Sequence, residues 1–194
     1  MDQRIARMLA ESAGVVSACA RDDAFVGRVR ELAAAVTDAY RRGNKVLVFG
    51  NGGSAADAQH LAAELVGRFR RERRAFNALA LTVNTSTLTA VGNDYGMEEI
   101  FARQVDAHAA PGDVVIGIST SGNAPDVLRG IAVARDRGCR TVAMTGRSGG
   151  RLRGMTDLEV AIPSDETPRI QEAHIAVIHA VCELVEEQLA EPAP

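Results

Sequence analysis

Tryptophan is absent from this 194-residue chain, and two tyrosines and five phenylalanines bring the aromatics to only 4%. That poverty excludes a nucleic-acid surface built on stacked rings, and it leaves the core to Ala, Val, Leu and Ile. Lysine occurs once, at Lys45. The remaining positive charge is arginine, and 22 basic against 25 acidic residues leave a net charge of −3. A protein whose main work is coating a polyanion carries the opposite balance. Cys19, Cys139 and Cys182 are odd in number and far apart, so neither a disulfide framework nor a paired-thiolate metal site is expected. They read as small buried hydrophobes in a reducing compartment. The first residues, MDQRIARMLAESAG, have no uninterrupted apolar core and are not a signal peptide. The longest charge-free stretch, Ala75 to Asn93, is broken by Thr, Asn and Ser and cannot span a bilayer. A soluble cytoplasmic protein with no membrane or nucleic-acid partner is expected.

What is present is the balance of a folded globular domain, 46% hydrophobic and 24% charged. Residues 1–43 read as helix: Phe25, Val29, Leu32, Ala33, Val36 and Tyr40 recur at helical spacing, and Gly43-Asn44 suit a left-handed cap. Helices ahead of the first strand have no sheet of their own to cover, so packing on another subunit is expected. The period changes at Lys45. Short apolar runs at Val46–Phe49, Ala78–Leu81, Val114–Ile118, Thr141–Met144 and Leu158–Ile162 read as strands. Helical stretches fall at Ala55–Val66, Glu98–Ala109, Pro125–Arg137 and Pro168–Ala190. Apolar strands alternating with helices predict a parallel sheet covered on both faces. The predicted fold is an α/β three-layer sandwich with five parallel strands over residues 44–190, preceded by N-terminal helices. The whole chain, 1–194, is read as one domain.

Two loops occupy equivalent places in this plan. Gly50-Asn51-Gly52-Gly53-Ser54 follows the first strand, and Ser119-Thr120-Ser121-Gly122-Asn123 follows the third. In a parallel sheet, ligands bind beyond the carboxyl ends of strands, where glycines and helix N-termini present N–H groups to anions. Gly and Ser also serve simple strand-to-helix turns. Neither loop is a dinucleotide or triphosphate signature, and a hydroxyl-rich, lysine-free cradle suits a sugar phosphate. His60 and Glu64 are four apart on the helix after the first loop. That spacing suits two ligands of one metal, an acid and a base, or an ordinary solvated pair. Gln171 and His179 share a broad face of the last helix, with His174 on a different side. The Arg68, Arg70, Arg71, Arg73, Arg74 run reads as a solvated or intersubunit segment.

The strings FGNGGSAADAQHLAAELVGRF, LTAVGNDYG, GDVVIGISTSGNAPDVL and RIQEAHIAVIHAVCELVE resemble the sugar isomerase (SIS) domain family, with its flavodoxin-like fold, and within it the phosphoheptose isomerases. The resemblance runs from about Lys45 to Glu187. It implies conversion of D-sedoheptulose 7-phosphate to D-glycero-D-manno-heptose 7-phosphate through an enediol, a first step toward nucleotide-activated heptose. It further implies substrate contacts at Asn51, Gly52, Gly53, Ser54, Glu64, Asn93, Asp94, Ser119, Thr120, Ser121 and Gln171. Zinc ligands are implied at His60, Glu64, Gln171 and His179, one zinc per subunit, and an acid–base pair at Glu64 and His179. A homotetramer with sites at subunit interfaces is implied as well. Two positions depart from the family pattern. Ala124 stands where a serine often follows STSGN, and Pro168 stands where some relatives carry an acidic residue. A relative of the same fold, the initiator-associating factor that binds the replication initiator DnaA, lacks histidine at the position of His179. This chain keeps it.

Overall fold

A computed structural model describes residues 1–189. The predicted end of the last helix at Ala190 and the Pro-Ala-Pro tail lie outside the described residues. Five parallel strands form one sheet: β1 (Val46–Gly50), β2 (Ala78–Ala80), β3 (Val114–Ser119), β4 (Arg140–Thr145) and β5 (Leu158–Ala161), in spatial order β2-β1-β3-β4-β5. The helices among the described residues are α1 (Asp2–Arg21), α2 (Asp23–Arg41), α3 (Gly53–Val66), α4 (Thr85–Asp94), α5 (Ala102–His108), α6 (Pro125–Asp136) and α7 (Thr167–Leu189).

Strand sequence explains the layering. All five residues of β1 and all six of β3 are buried, so both sheet faces need cover. Along β1, Val46 and Val48 join the core under α2, α3 and α7, whereas Leu47 and Phe49 join the core under α5 and α6. This is the period-2 alternation of a strand with two dry faces. At the amino edge the chain's sole lysine is used structurally. Lys45 Nζ lies 2.6 Å from Oδ2 of fully buried Asp113, which also accepts from the Lys45, Ala110 and Asn44 N–H groups. Burial pushes the Asp113 carboxyl up, but these donors hold it below its ordinary value.

Three expectations are corrected. The helices before the first strand were expected to lack a sheet of their own, but α2 packs along α7 and against β3 and β5. Leu32, Ala33, Val36, Ala39 and Tyr40 of α2 are buried in the subunit's own core. Of these two helices, α1 is the one that lies outside the sandwich, on α2 and α7. The Thr-rich segment assigned no helix is α4, capped by Asn84, whose side chain accepts from Thr87 N at 3.0 Å. Its β-branched, polar residues have weak helix propensity, and the cap supplies what periodicity hides. The helix predicted over Glu98–Ala109 is interrupted: a 3-10 turn at Met97–Glu99 precedes α5, because Ile100 and Phe101 turn in to the core.

Phe49 and Phe101 stack with ring centroids 4.9 Å apart, and both are buried. Replacing Phe49 by Ala is expected to lower the unfolding free energy by about 3–5 kcal/mol, measured by urea denaturation with an unchanged m-value.

Candidate active site

The order β2-β1-β3-β4-β5 reverses direction between β1 and β3, and ligands of such sheets bind at the carboxyl ends flanking that switch point. Both glycine–hydroxyl loops leave from this place. Asn51, Gly52, Gly53 and Ser54 after β1, and Ser119, Thr120 and Ser121 at the end of β3, line one cavity of about 320 Å³ with Gln171 of α7. The Asn51 amide donates to Asp126 Oδ1 at 3.0 Å, which couples the first loop to the start of α6. Asn123 braces the second loop by accepting from Arg151 N and donating to the Ser121 carbonyl.

Glycine is required here by close approach. A Cβ on Gly53 would lie 2.4 Å from Gln171 Nε2, so the bare backbone lets the Gln171 amide lie over the start of α3. At Gly122, with φ +66°, a Cβ would meet the Gly149 carbonyl oxygen at 1.9 Å. Ala124 lines the same cavity without a hydroxyl and gives α6 no side-chain cap.

A second cluster lies farther along the seam between α3 and α7. His60 Nε2 and His179 Nε2 are 2.9 Å apart, and His60 Nε2 is 3.4 Å from Glu64 Oε1. The predicted residues therefore fall in two groups on one seam, the loops with Gln171 and the histidines with Glu64. Asn93 and Asp94 join neither. They end the exposed α4, where the Asn93 amide donates to Asp94 at 2.8 Å, and they are not among the residues lining the loop cavity. His174 is a core histidine: it is fully buried and within 3.2 Å of the Thr145 carbonyl, and burial lowers it to about 4.

The donor types in the second cluster suit zinc. Two ligand nitrogens on a tetrahedral zinc stand about 3.3 Å apart, so the imidazoles need to part by a few tenths of an ångström. As they stand, no three His, Cys, Asp or Glu side chains among the described residues form a metal-sized cluster.

Several residues passed unnoticed in the sequence. Asp57 lies on the His60 and Glu64 face of α3 at positions i, i+3 and i+7, a spacing that could have revealed it. It is 5% exposed, and its Oδ2 has no partner. Burial raises it to about 6, partly opposed by His60. The arginine run is corrected too. Arg68, Arg70, Arg71 and Arg74 are exposed, but the Arg73 side chain is only 3% exposed, 3.1 Å from Glu186 Oε1.

Comparison with known proteins decides the family. The SIS domain model matches residues 15–146. The chain belongs to the SIS domain family. Among its relatives, the phosphoheptose isomerase of Geobacter sp. (strain M21) is 62% identical over 154 residues, covering 79% of this chain and 80% of that one. The phosphoheptose isomerase of Aquifex aeolicus (strain VF5) is 52% identical over 191 residues, 98% of this chain and 99% of that protein. The solved phosphoheptose isomerase GmhA from Neisseria gonorrhoeae superposes with a TM-score of 0.90 at 40% identity, covering 96% of this chain and 98% of that one. The SIS fold thus accounts for the parallel sheet, its strand order and the paired loops.

Asp57 yields a pH test. Its folded value near 6 exceeds the ordinary value of about 3.9, so ionisation destabilises the folded form above pH 6, and this loss vanishes below pH 4. Asp57→Asn is expected to raise stability at pH 7.5 by about 2 kcal/mol. The gain closes as pH falls from 6 to 4, measured by denaturant melts of both proteins across that range.

Proposed function

We propose that this SIS-domain chain is an aldose–ketose isomerase that converts D-sedoheptulose 7-phosphate to D-glycero-D-manno-heptose 7-phosphate. The observation that carries the reading is that an anion cradle and a carboxylate–imidazole cluster lie on one α3–α7 seam. His60 is six residues past Ser54 and His179 eight past Gln171, about 9 and 12 Å at helical rise. An extended seven-carbon sugar with its phosphate spans about 10 Å and the side chains at both ends close the rest, so the phosphate sits in the loops while carbons 1 and 2 meet Glu64 and His179. The strong relatedness to proteins named phosphoheptose isomerase supports the same substrate.

In the mechanism, the phosphate accepts hydrogen bonds from the hydroxyls and N–H groups of Ser54, Ser119, Thr120 and Ser121. The Glu64 carboxylate takes a proton from carbon 1 of the ketose, while an N–H of the His179 imidazole gives a proton to oxygen 2. The enediol results. Glu64 then returns its proton to carbon 2, and His179 recovers one from oxygen 1, which leaves the aldehyde at carbon 1. Gln171 orients the sugar between the two groups. His60, Glu64 and His179 would offer donors to one zinc ion, with Gln171 reaching in from the loop cavity that it lines. When bound, the ion would supply Lewis-acid polarisation of the carbonyl, and Glu64 and His179 would move protons only with their donor atoms free of it. Asn93 and Asp94 reach the substrate in this reading only once a ligand or a second subunit completes the pocket.

Assembly follows the same reading. On α1, Ile5, Met8, Leu9 and Val16 are exposed, and an open apolar groove of about 420 Å³ runs between α1, α2 and α7. These surfaces support a homotetramer with sites completed at subunit contacts. A cytoplasmic location fits the three free thiols.

Turnover of sedoheptulose 7-phosphate by the purified protein, followed by NMR, tests the proposal. The parent is expected to convert it, and His179→Asn to lose activity by about 10²–10⁴-fold with its assembly unchanged. A parent that binds sugar phosphates without turnover would contradict the enzyme reading and favour an initiator-binding scaffold.

A further inference from the structure

The loop that leaves α3 is gripped from α7. Glu186, 1% exposed, accepts from three successive backbone N–H groups, Phe69 at 2.6 Å, Arg70 at 2.8 Å and Arg71 at 3.0 Å. Its Oε1 also lies 3.1 Å from Nε of Arg73. Arg73 in turn donates to the carbonyls of Gly67 and Glu64, both at 2.7 Å, and lies 4.2 Å over the Phe76 ring. Helix-end carbonyls lack intrahelical partners, and here a guanidinium supplies them at the residue that bears the proposed base.

The grip has a consequence at the other proposed group. Drawing residues 69–71 onto Glu186 seats the Phe69 ring beside the His179 imidazole, with centroids 5.3 Å apart and planes inclined 31°. His179 stands two turns before Glu186 on the same helix, so one rigid element carries both the ring and its clamp. A buried ion pair is weak evidence for stability. Its value here is geometric: it fixes the backbone at Glu64 and one wall of His179 without touching a reacting atom.

We propose that Arg73, Glu186 and Phe69 are positioning residues for isomerisation, setting the relative placement of Glu64 and His179. This rests on the assignment of that pair above. A misplacement of about 1 Å can cost 10²-fold in rate, so loosening the clamp lowers kcat while phosphate binding in the distant loops keeps KM.

The test compares the parent with Phe69→Leu, Phe69→Tyr, Glu186→Gln and Glu64→Gln. Steady-state turnover of sedoheptulose 7-phosphate, melting temperature and amide hydrogen exchange over residues 67–76 are read. Phe69→Leu is expected to lower kcat about 10-fold or more, with KM within about 2-fold and an unchanged melting temperature. Phe69→Tyr, which keeps the ring, recovers kcat to within about 3-fold. Glu186→Gln speeds exchange at residues 69–71 and lowers kcat in the same way. An unchanged kcat in Phe69→Leu, a loss that Tyr does not recover, or a loss that only tracks melting temperature overturns the proposal. Loss of activity in Glu64→Gln with parental kcat in Phe69→Leu and Glu186→Gln overturns this inference alone. Full activity in Glu64→Gln overturns the assignment of the base, and the inference with it.

Discussion

Two parallel strands, β1 and β3, lie side by side, with Val46 to Gly50 in register with Val114 to Ile118. Their carboxyl ends therefore open at one edge, and each must turn at once into a helix on its own face of the sheet. That constraint brings Gly52-Gly53-Ser54 and Ser119-Thr120-Ser121 to opposite walls of one cavity. The backbone of both turns has to remain slim. Gly53 leaves room for Gln171, and Gly122 for the Gly149 carbonyl. A side chain at Gly53 would push Gln171 aside, and one at Gly122 would drive the second loop off the Gly149 carbonyl.

The second determinant is the seam between α3 and α7. Both helices pack on the same face of the sheet through Ala58, Leu61, Ala62 and Leu65 on one and Ala173, Val177, Ile178 and Val181 on the other. Small residues let the helices approach closely enough for His60 and His179 to face each other at 2.9 Å. Each helix begins at the cradle and carries a chemical group farther along. In the proposed reaction, binding and chemistry are thus arranged along a pair of rigid rods, whose spacing matches the length of the substrate.

How much of this was legible in the sequence depends on whether the signal was local. The glycine–hydroxyl loops, the five strands and the His60–Glu64 spacing are short-range patterns, and the structure has them where the pattern put them. The role of α2 was misread because nothing in its own periodicity says which sheet it covers. In the order β2-β1-β3-β4-β5, α2 packs beside α7 over β3 and β5. Helix α4 escaped because threonine, a poor helix former, occupies half of its first turn and more. Arg73 is indistinguishable from its neighbours in a run of arginines, and only the distant Glu186, brought in by the fold, separates it from the solvated ones. Asn93 and Asp94 illustrate the converse: a recognised motif can end an exposed helix and line no part of the loop cavity.

The central claim is that the loops at the β1–β3 switch point hold a phosphate while Glu64 and His179 meet the far end of the same sugar. A crystal structure of Glu64→Gln with sedoheptulose 7-phosphate measures this directly. The account predicts the phosphate on Ser119, Thr120 and Ser121 beside Ser54, with carbons 1 and 2 within hydrogen-bond reach of residues 64 and 179. A sugar phosphate bound outside the cradle, or bound there with its carbonyl end turned away from both residues, would contradict it.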